Sequence, residues 1–197
     1  MSELKNESMH RIFAIVGMPG SGKTEASEFL VKKNFQFIRL GQLTLDEIKK
    51  RGLEPTEANE RPIREELRKK HGMAAFATLN FPKIGSMLKK SDVVVDGLYS
   101  WEEYLAFKEK YPNITVIAIY ASPKTRYERL EKQNVSKDSG IKRRHYTKEE
   151  AASRDRAQLE NLHTGGPIAM ADFTIINETS VKELQKCLEE ILKTVKK

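Results

Sequence analysis

The run Gly17-Met18-Pro19-Gly20-Ser21-Gly22-Lys23-Thr24 constrains this chain more than any other stretch of it. It fills the pattern G-x-x-x-x-G-K-[ST] and stands between an apolar run, IFAIV at residues 12–16, and a helical pattern that begins near Gly22. Strand, glycine-rich loop and helix in that order predict a phosphate-binding loop. The glycines let the backbone curl until successive N–H groups point inward at phosphate oxygens, and the helix N-terminus adds its dipole. In such a loop Lys23 bridges the outer phosphates. Thr24 offers a hydroxyl to Mg²⁺, the ion that neutralises charge developing on a transferred phosphoryl group. A glycine-rich turn that matched the pattern by accident would lack the flanking strand and helix. The expected ligand is therefore ATP with Mg²⁺, bound by the whole run.

Further short apolar runs, rich in branched or aromatic residues, predict strands at residues 35–40, 93–95, 114–120 and 173–176. Helical patterns lie between them at about 22–33, 44–51, 58–90 in two or three pieces, 101–110, 123–132, 148–162 and 180–195. Strands alternating with helices imply an α/β fold, with a parallel sheet covered on both faces. At 197 residues the reading is one domain over 1–197. The segment 133–147, QNVSKDSGIKRRHYT, lacks an apolar face and reads as a mobile surface loop. A second polar stretch, 52–61, starts a long insertion between the second and third predicted strands.

Composition narrows the function classes. A charged fraction of 32% beside 39% hydrophobic residues suits a soluble globule. The first ten residues are polar, and no stretch approaches the roughly 20 apolar residues of a membrane span, so a cytoplasmic protein is expected. The single cysteine, Cys187, excludes an intramolecular disulfide and any multi-thiolate metal site. A net charge of +7 admits an anionic small ligand or nucleic acid. The basic clusters at 142–144 and 196–197 are short, which argues against the extended stripe that a nucleic-acid partner needs. The four histidines show no metal-ligand spacing.

Several charged residues are candidates for chemistry around the loop. Asp96 closes the third predicted strand, where a carboxylate holds Mg²⁺ directly or through water; an Asp before a Gly is also a common turn former. Arginines suit phosphoryl transfer because a planar guanidinium grips two oxygens at once. Arg126 and Arg129 share a helix face just before the polar loop, and Arg154 and Arg156 follow it. A loop bracketed by arginines, about 133–156, is a plausible lid that closes over ATP. The alternative is a solvated charged helix with Glu128 and Glu131 as partners. In the insertion, about 41–90, Arg61, Arg64 and Arg68 recur at helical spacing, either to hold an acceptor or as the polar side of a helix packed through Ile63 and Leu67.

With GMPGSGKT, VVVDG, ASPKTRYERL, SRDRAQL and MADFTIIN in that order, the chain resembles the nucleoside-monophosphate-kinase-like P-loop group. The likeness is greatest to archaeal adenylate-kinase-related proteins, in GLEPTEANE, ELRKKHGMAA and FPKI, and the ending around Arg156, Gln158, Asp172 and Asn177 is also similar to dephospho-CoA kinases. The resemblance implies a P-loop NTPase three-layer sandwich whose five-stranded parallel sheet has the order 2-3-1-4-5, with a lid and an acceptor-binding insertion. It implies ATP-dependent transfer to a small phosphorylated acceptor, a nucleoside monophosphate or dephospho-CoA. Lys23, Asp96, Arg129 and Arg126 would act in transfer, Thr24 and Asp96 at the metal, and Arg154, Arg156 and Asn177 at the nucleotide. Three departures bear on the acceptor: Leu45, Tyr99 and Gln133 stand where relatives often carry arginines.

Overall fold

The computed structural model describes residues 10–132 and 146–195. Five strands, β1 (Ile12–Val16), β2 (Gln36–Arg39), β3 (Val93–Asp96), β4 (Thr115–Tyr120) and β5 (Phe173–Ile176), form an all-parallel sheet in the order β2-β3-β1-β4-β5. Side chains alternate across a strand, and here both faces are apolar. Ile12, Ala14 and Val16 of β1 join Val93, Val95, Val116 and Ala118 in one core, while Phe13 and Ile15 join Val94, Ile117 and Ile119 in the other. That pattern requires helices on both sides.

Helix α1 (Lys23–Lys32) and α10 (Val181–Thr194) cover the second core through Ala26, Leu30, Leu184 and Leu188. The other face is covered by α4 (Ala75–Thr78), α5 (Phe81–Leu88), α6 (Trp101–Lys110) and α9 (Gly165–Ala169). The insertion adds α2 (Gln42–Lys50) and α3 (Glu57–His71), and α7 (Pro123–Lys132) leads towards α8 (Lys148–Leu162). Leu184, Leu188 and Ile191 recur at helical spacing on α10 and are buried; truncating Leu188 to alanine would leave a cavity costing about 2–5 kcal/mol. Ser100 and Thr147 start α6 and α8 with reciprocal capping boxes to Glu103 and Glu150. At the N-terminal edge of the sheet Arg11 grips Asp92 and donates to the Val195 carbonyl at 3.1 Å, pinning the end of α10.

The strand order and the helix pieces of the insertion agree with the sequence reading. Helix α9, opened by Gly165 and Gly166, has no counterpart in that reading because so short an element shows no periodicity. The proposed mobile loop lies at 133–145 outside the described residues, as does Gln133. Among the described residues no helix is long and apolar enough to cross a membrane. Cys187 is half-buried on α10.

Candidate functional site at the carboxyl edge of the sheet

In open parallel sheets, ligands bind beyond the carboxyl ends of the strands, where successive connections leave to opposite sides. Here β1 connects towards β2 and β4 towards β5, so that point lies at β1 and β4. The loop 17–24 leaves β1 there. Gly22 adopts φ 108°, and a Cβ on it would run into the Asn177 side-chain amide. Gly20 adopts φ 78°, and its Cβ would stand 2.7 Å from the Arg126 carbonyl oxygen. Neither position admits a side chain, because both conformation and space forbid it.

Two buried side chains hold the loop from behind. Arg126, on α7 and 4% exposed, donates to the Pro19 carbonyl at 3.0 Å, to the Ala121 carbonyl at 3.1 Å and to both oxygens of Asp155 on α8. Tyr127 adds a hydroxyl to Asp155 at 3.0 Å. Asn177, just past β5, donates from Nδ2 to the Ser21 carbonyl at 2.8 Å, and its own backbone N–H reaches Tyr120. The Pro19 and Ser21 carbonyls are thus held by side chains outside the loop, which fixes the curl of a backbone of the kind that can turn N–H groups towards an anion.

Lys23 folds over this loop, donating to the Gly17 and Met18 carbonyls at 2.8 and 3.1 Å. Burial lowers its pKa to about 8; Asp96 opposes the shift, and Arg154 and Arg126 reinforce it. Asp96 ends β3 in register with Ile15 of β1 and Arg39 of β2. Its Oδ2 accepts from Arg39 Nε at 3.3 Å, while Oδ1 is buried without a partner. Beside it the Tyr99 hydroxyl is pushed up to about 12, first by burial and then by the Asp96 charge.

The structure thus brings together Lys23, Asp96, Arg126 and Arg154, with Thr24 next in sequence to Lys23 on α1, and sets Asn177 against the loop backbone. Arg154 stacks over the Tyr146 ring at 5.2 Å and leaves Nε buried and unbonded. Arg129, on α7 near Glu178, likewise has one buried amino group without a partner. Arg156 is exposed on α8. In the insertion Arg61 and Arg64 bond to Glu65 and Glu60, and Arg68 lies over the Phe76 ring at 5.0 Å. Sequence reasoning passed over Arg39, Asp155 and Tyr127. Arg39 could have been found from its place as the last residue of a strand; Asp155 lies between two arginines that drew attention away from it.

Ser21 Oγ, Asp96 Oδ1, Arg129 Nη1 and Arg154 Nε are buried polar atoms without partners. Such atoms are costly unless something completes them. A phosphate group is an acceptor of the kind that loop amides, a serine hydroxyl, a lysine and arginines can complete. The unpaired Asp96 oxygen is the hard oxygen donor that Mg²⁺ takes, and Thr24, next to Lys23 at the start of α1, carries a hydroxyl of the same donor type, so the residues present fit that ion.

The family profile described as an AAA domain matches residues 14–160. A UPF0200 protein of Sulfurisphaera tokodaii is 35% identical over 188 residues, covering 95% of this chain and 99% of that one. Among solved structures, TT1252 from Thermus thermophilus superposes with a TM-score of 0.62 at 17% identity, covering 96% of this chain and 100% of that one. A shikimate kinase from Bacteroides thetaiotaomicron superposes with a TM-score of 0.57 at 19% identity, covering 94% and 99%. At such identities the structural likeness concerns the fold, that of P-loop kinases.

Proposed function

The chain belongs to the AAA-domain family of P-loop proteins and to the UPF0200 family, and from that premise we propose that it is an ATP-dependent phosphotransferase acting on a small, nucleotide-like or otherwise anionic acceptor. The observation that carries the reading is the complete phosphate-binding loop facing unpartnered Asp96 Oδ1 and Arg154 Nε. Sequence likeness to adenylate-kinase-related proteins and dephospho-CoA kinases supports a nucleoside monophosphate or dephospho-CoA as acceptor.

The residues would work by positioning and charge rather than by a covalent intermediate. Loop amides and Ser21 hold the β- and γ-phosphates of ATP. Lys23 leaves the Gly17 and Met18 carbonyls for phosphate oxygens, a short move for a flexible ammonium. Arg154 and Arg129 approach from α8 and α7 to meet charge on the transferred group. An acceptor oxygen forms its bond to the γ-phosphorus as the bond to the β-phosphate oxygen breaks; ADP leaves, and a hydroxyl acceptor passes its proton to water, while an ionised phosphate acceptor has none to lose. Thr24 and Asp96 would hold Mg²⁺, which would supply neutralisation of phosphate charge when bound. Arg126, with its donors engaged by Pro19, Ala121 and Asp155, positions the loop in this scheme.

A rival reading, a slow ATPase or nucleotide switch acting on a protein partner, draws on the neutral Leu45, Tyr99 and Gln133. Coupled ADP release across a panel of nucleoside monophosphates and dephospho-CoA separates the two. Stimulation by one acceptor supports the phosphotransferase; slow release indifferent to every acceptor supports the switch.

A further inference from the structure

We infer that Arg39 is the anion anchor of the acceptor subsite, gripping a phosphate or carboxylate of the molecule that receives the phosphoryl group; the inference rests on the phosphotransferase reading above. Arg39 is the last residue of β2 and pairs in register with Asp96, the last of β3. In the sheet, β3 lies between β2 and β1, so Asp96 separates Arg39 from the phosphate-binding loop. The donor phosphates belong over the loop. An acceptor must attack the γ-phosphorus from the side opposite the leaving oxygen, and Arg39 stands on the far side of Asp96 from that loop.

The guanidinium is only partly committed. Nε donates to Asp96 Oδ2 at 3.3 Å, and among the described residues the two terminal amino groups have no hydrogen-bond partner. The side chain is 24% exposed, its charge lying 5.9 Å from the centre of the Phe37 ring. It is sheltered enough for an ion pair to escape full screening and open enough to be reached. The two amino groups form a fork that matches a carboxylate or phosphate in two-pronged fashion, while the bond to Asp96 fixes the plane of that fork. The acceptor class follows: a small molecule with an oxyanion close to its accepting oxygen. A nucleoside monophosphate and a hydroxy acid share that chemistry.

The test measures AMP and shikimate binding by calorimetry to the wild type, Arg39→Gln and Arg39→Lys, each saturated with ADP. Fluorescent ADP, titrated without divalent cation, reports the donor site separately. One of the two probes is expected to bind the wild type. Arg39→Gln should weaken it by about tenfold or more, the loss expected when a charged hydrogen-bonding partner is removed, and Arg39→Lys should recover part of that loss. Nucleotide affinity should be the same in all three. Binding of AMP assigns the nucleotide class, and binding of shikimate the hydroxy-acid class. Equal affinity in the wild type and Arg39→Gln overturns the inference, as does failure of both probes to bind the ADP-filled wild type. Failure of fluorescent ADP itself to bind would remove the phosphotransferase reading and the inference with it.

Discussion

Arg126 and Asp155 form a buried, two-pronged ion pair between α7 and α8, and the same guanidinium holds the Pro19 carbonyl of the phosphate-binding loop at 3.0 Å. The loop and the helix bearing Arg154 are therefore tied through one side chain. A shift of α8 relative to α7 would be felt at Pro19, and closure over a bound nucleotide would act on the same linkage.

Breaking this pair from one side should be severe. Asp155→Asn leaves a buried guanidinium without its counter-charge, and such losses run to about 3–5 kcal/mol. Urea unfolding should show that fall, and nucleotide affinity should drop as Pro19 loosens. Replacing both partners, Arg126→Met with Asp155→Leu, should recover part of the stability, since the two sites are coupled. It should not recover nucleotide affinity, because nothing then holds the Pro19 carbonyl. Recovery of both would show that Arg126 serves packing alone.

Asn177→Ala removes the hydrogen bond to the Ser21 carbonyl. The expected loss of stability is modest, about 1 kcal/mol. Nucleotide affinity should fall further than that stability loss alone explains, because the loop backbone loses one of its two outward tethers. Fluorescent-ADP titration beside thermal unfolding measures both quantities; unchanged affinity would contradict the tether.

Lys23 should make nucleotide binding sensitive to alkaline pH. Its pKa in the fold is about 8 against an ordinary value of 10.5. Affinity for ADP should therefore decline as pH rises through 8, as the ammonium loses its proton. The stability of the nucleotide-free protein moves the other way. Between those two values the unfolded chain binds more protons than the folded one, so this group makes stability rise with pH across the window. Lys23→Met should flatten both profiles.

Glu103 gives the opposite sign. The carboxyl accepts from the Tyr99 and Ser100 backbone N–H groups, yet burial pushes its pKa up to about 7 from 4.5. The folded state then binds more protons than the unfolded one between those values, so stability contributed below 4.5 is lost as pH rises through 7. Glu103→Gln keeps an acceptor for both N–H groups and removes the titration. Unfolding curves of the parent and the variant should converge at low pH and separate towards neutrality, with the variant more stable there.

The elements of the fold were legible because their signals are local. The loop motif between an apolar strand and a helix places β1 and α1, and Ser100 and Thr147 mark the starts of α6 and α8 with capping side chains. The candidate site was legible in its residue types and less so in their tasks. Arg126 and Asn177 could be named as residues near the nucleotide, but periodicity says nothing of which oxygen a side chain meets, and both turn to loop carbonyls. Arg39 lies inside the apolar run at residues 35–40 and drew no reading of its own. Its importance depends on the pairing of β2 with β3, a contact between residues 57 apart in the chain.

The most direct test of the account follows the γ-phosphate itself. ATP labelled there is mixed with the protein, Mg²⁺ and the acceptor that best stimulates ADP release, and the products are separated after a single turnover. The account expects the label on the acceptor with the wild type, little transfer with Lys23→Ala, and transfer restored to Asp96→Asn only at raised Mg²⁺. Label recovered solely as inorganic phosphate, at a rate the acceptor does not change, would contradict it.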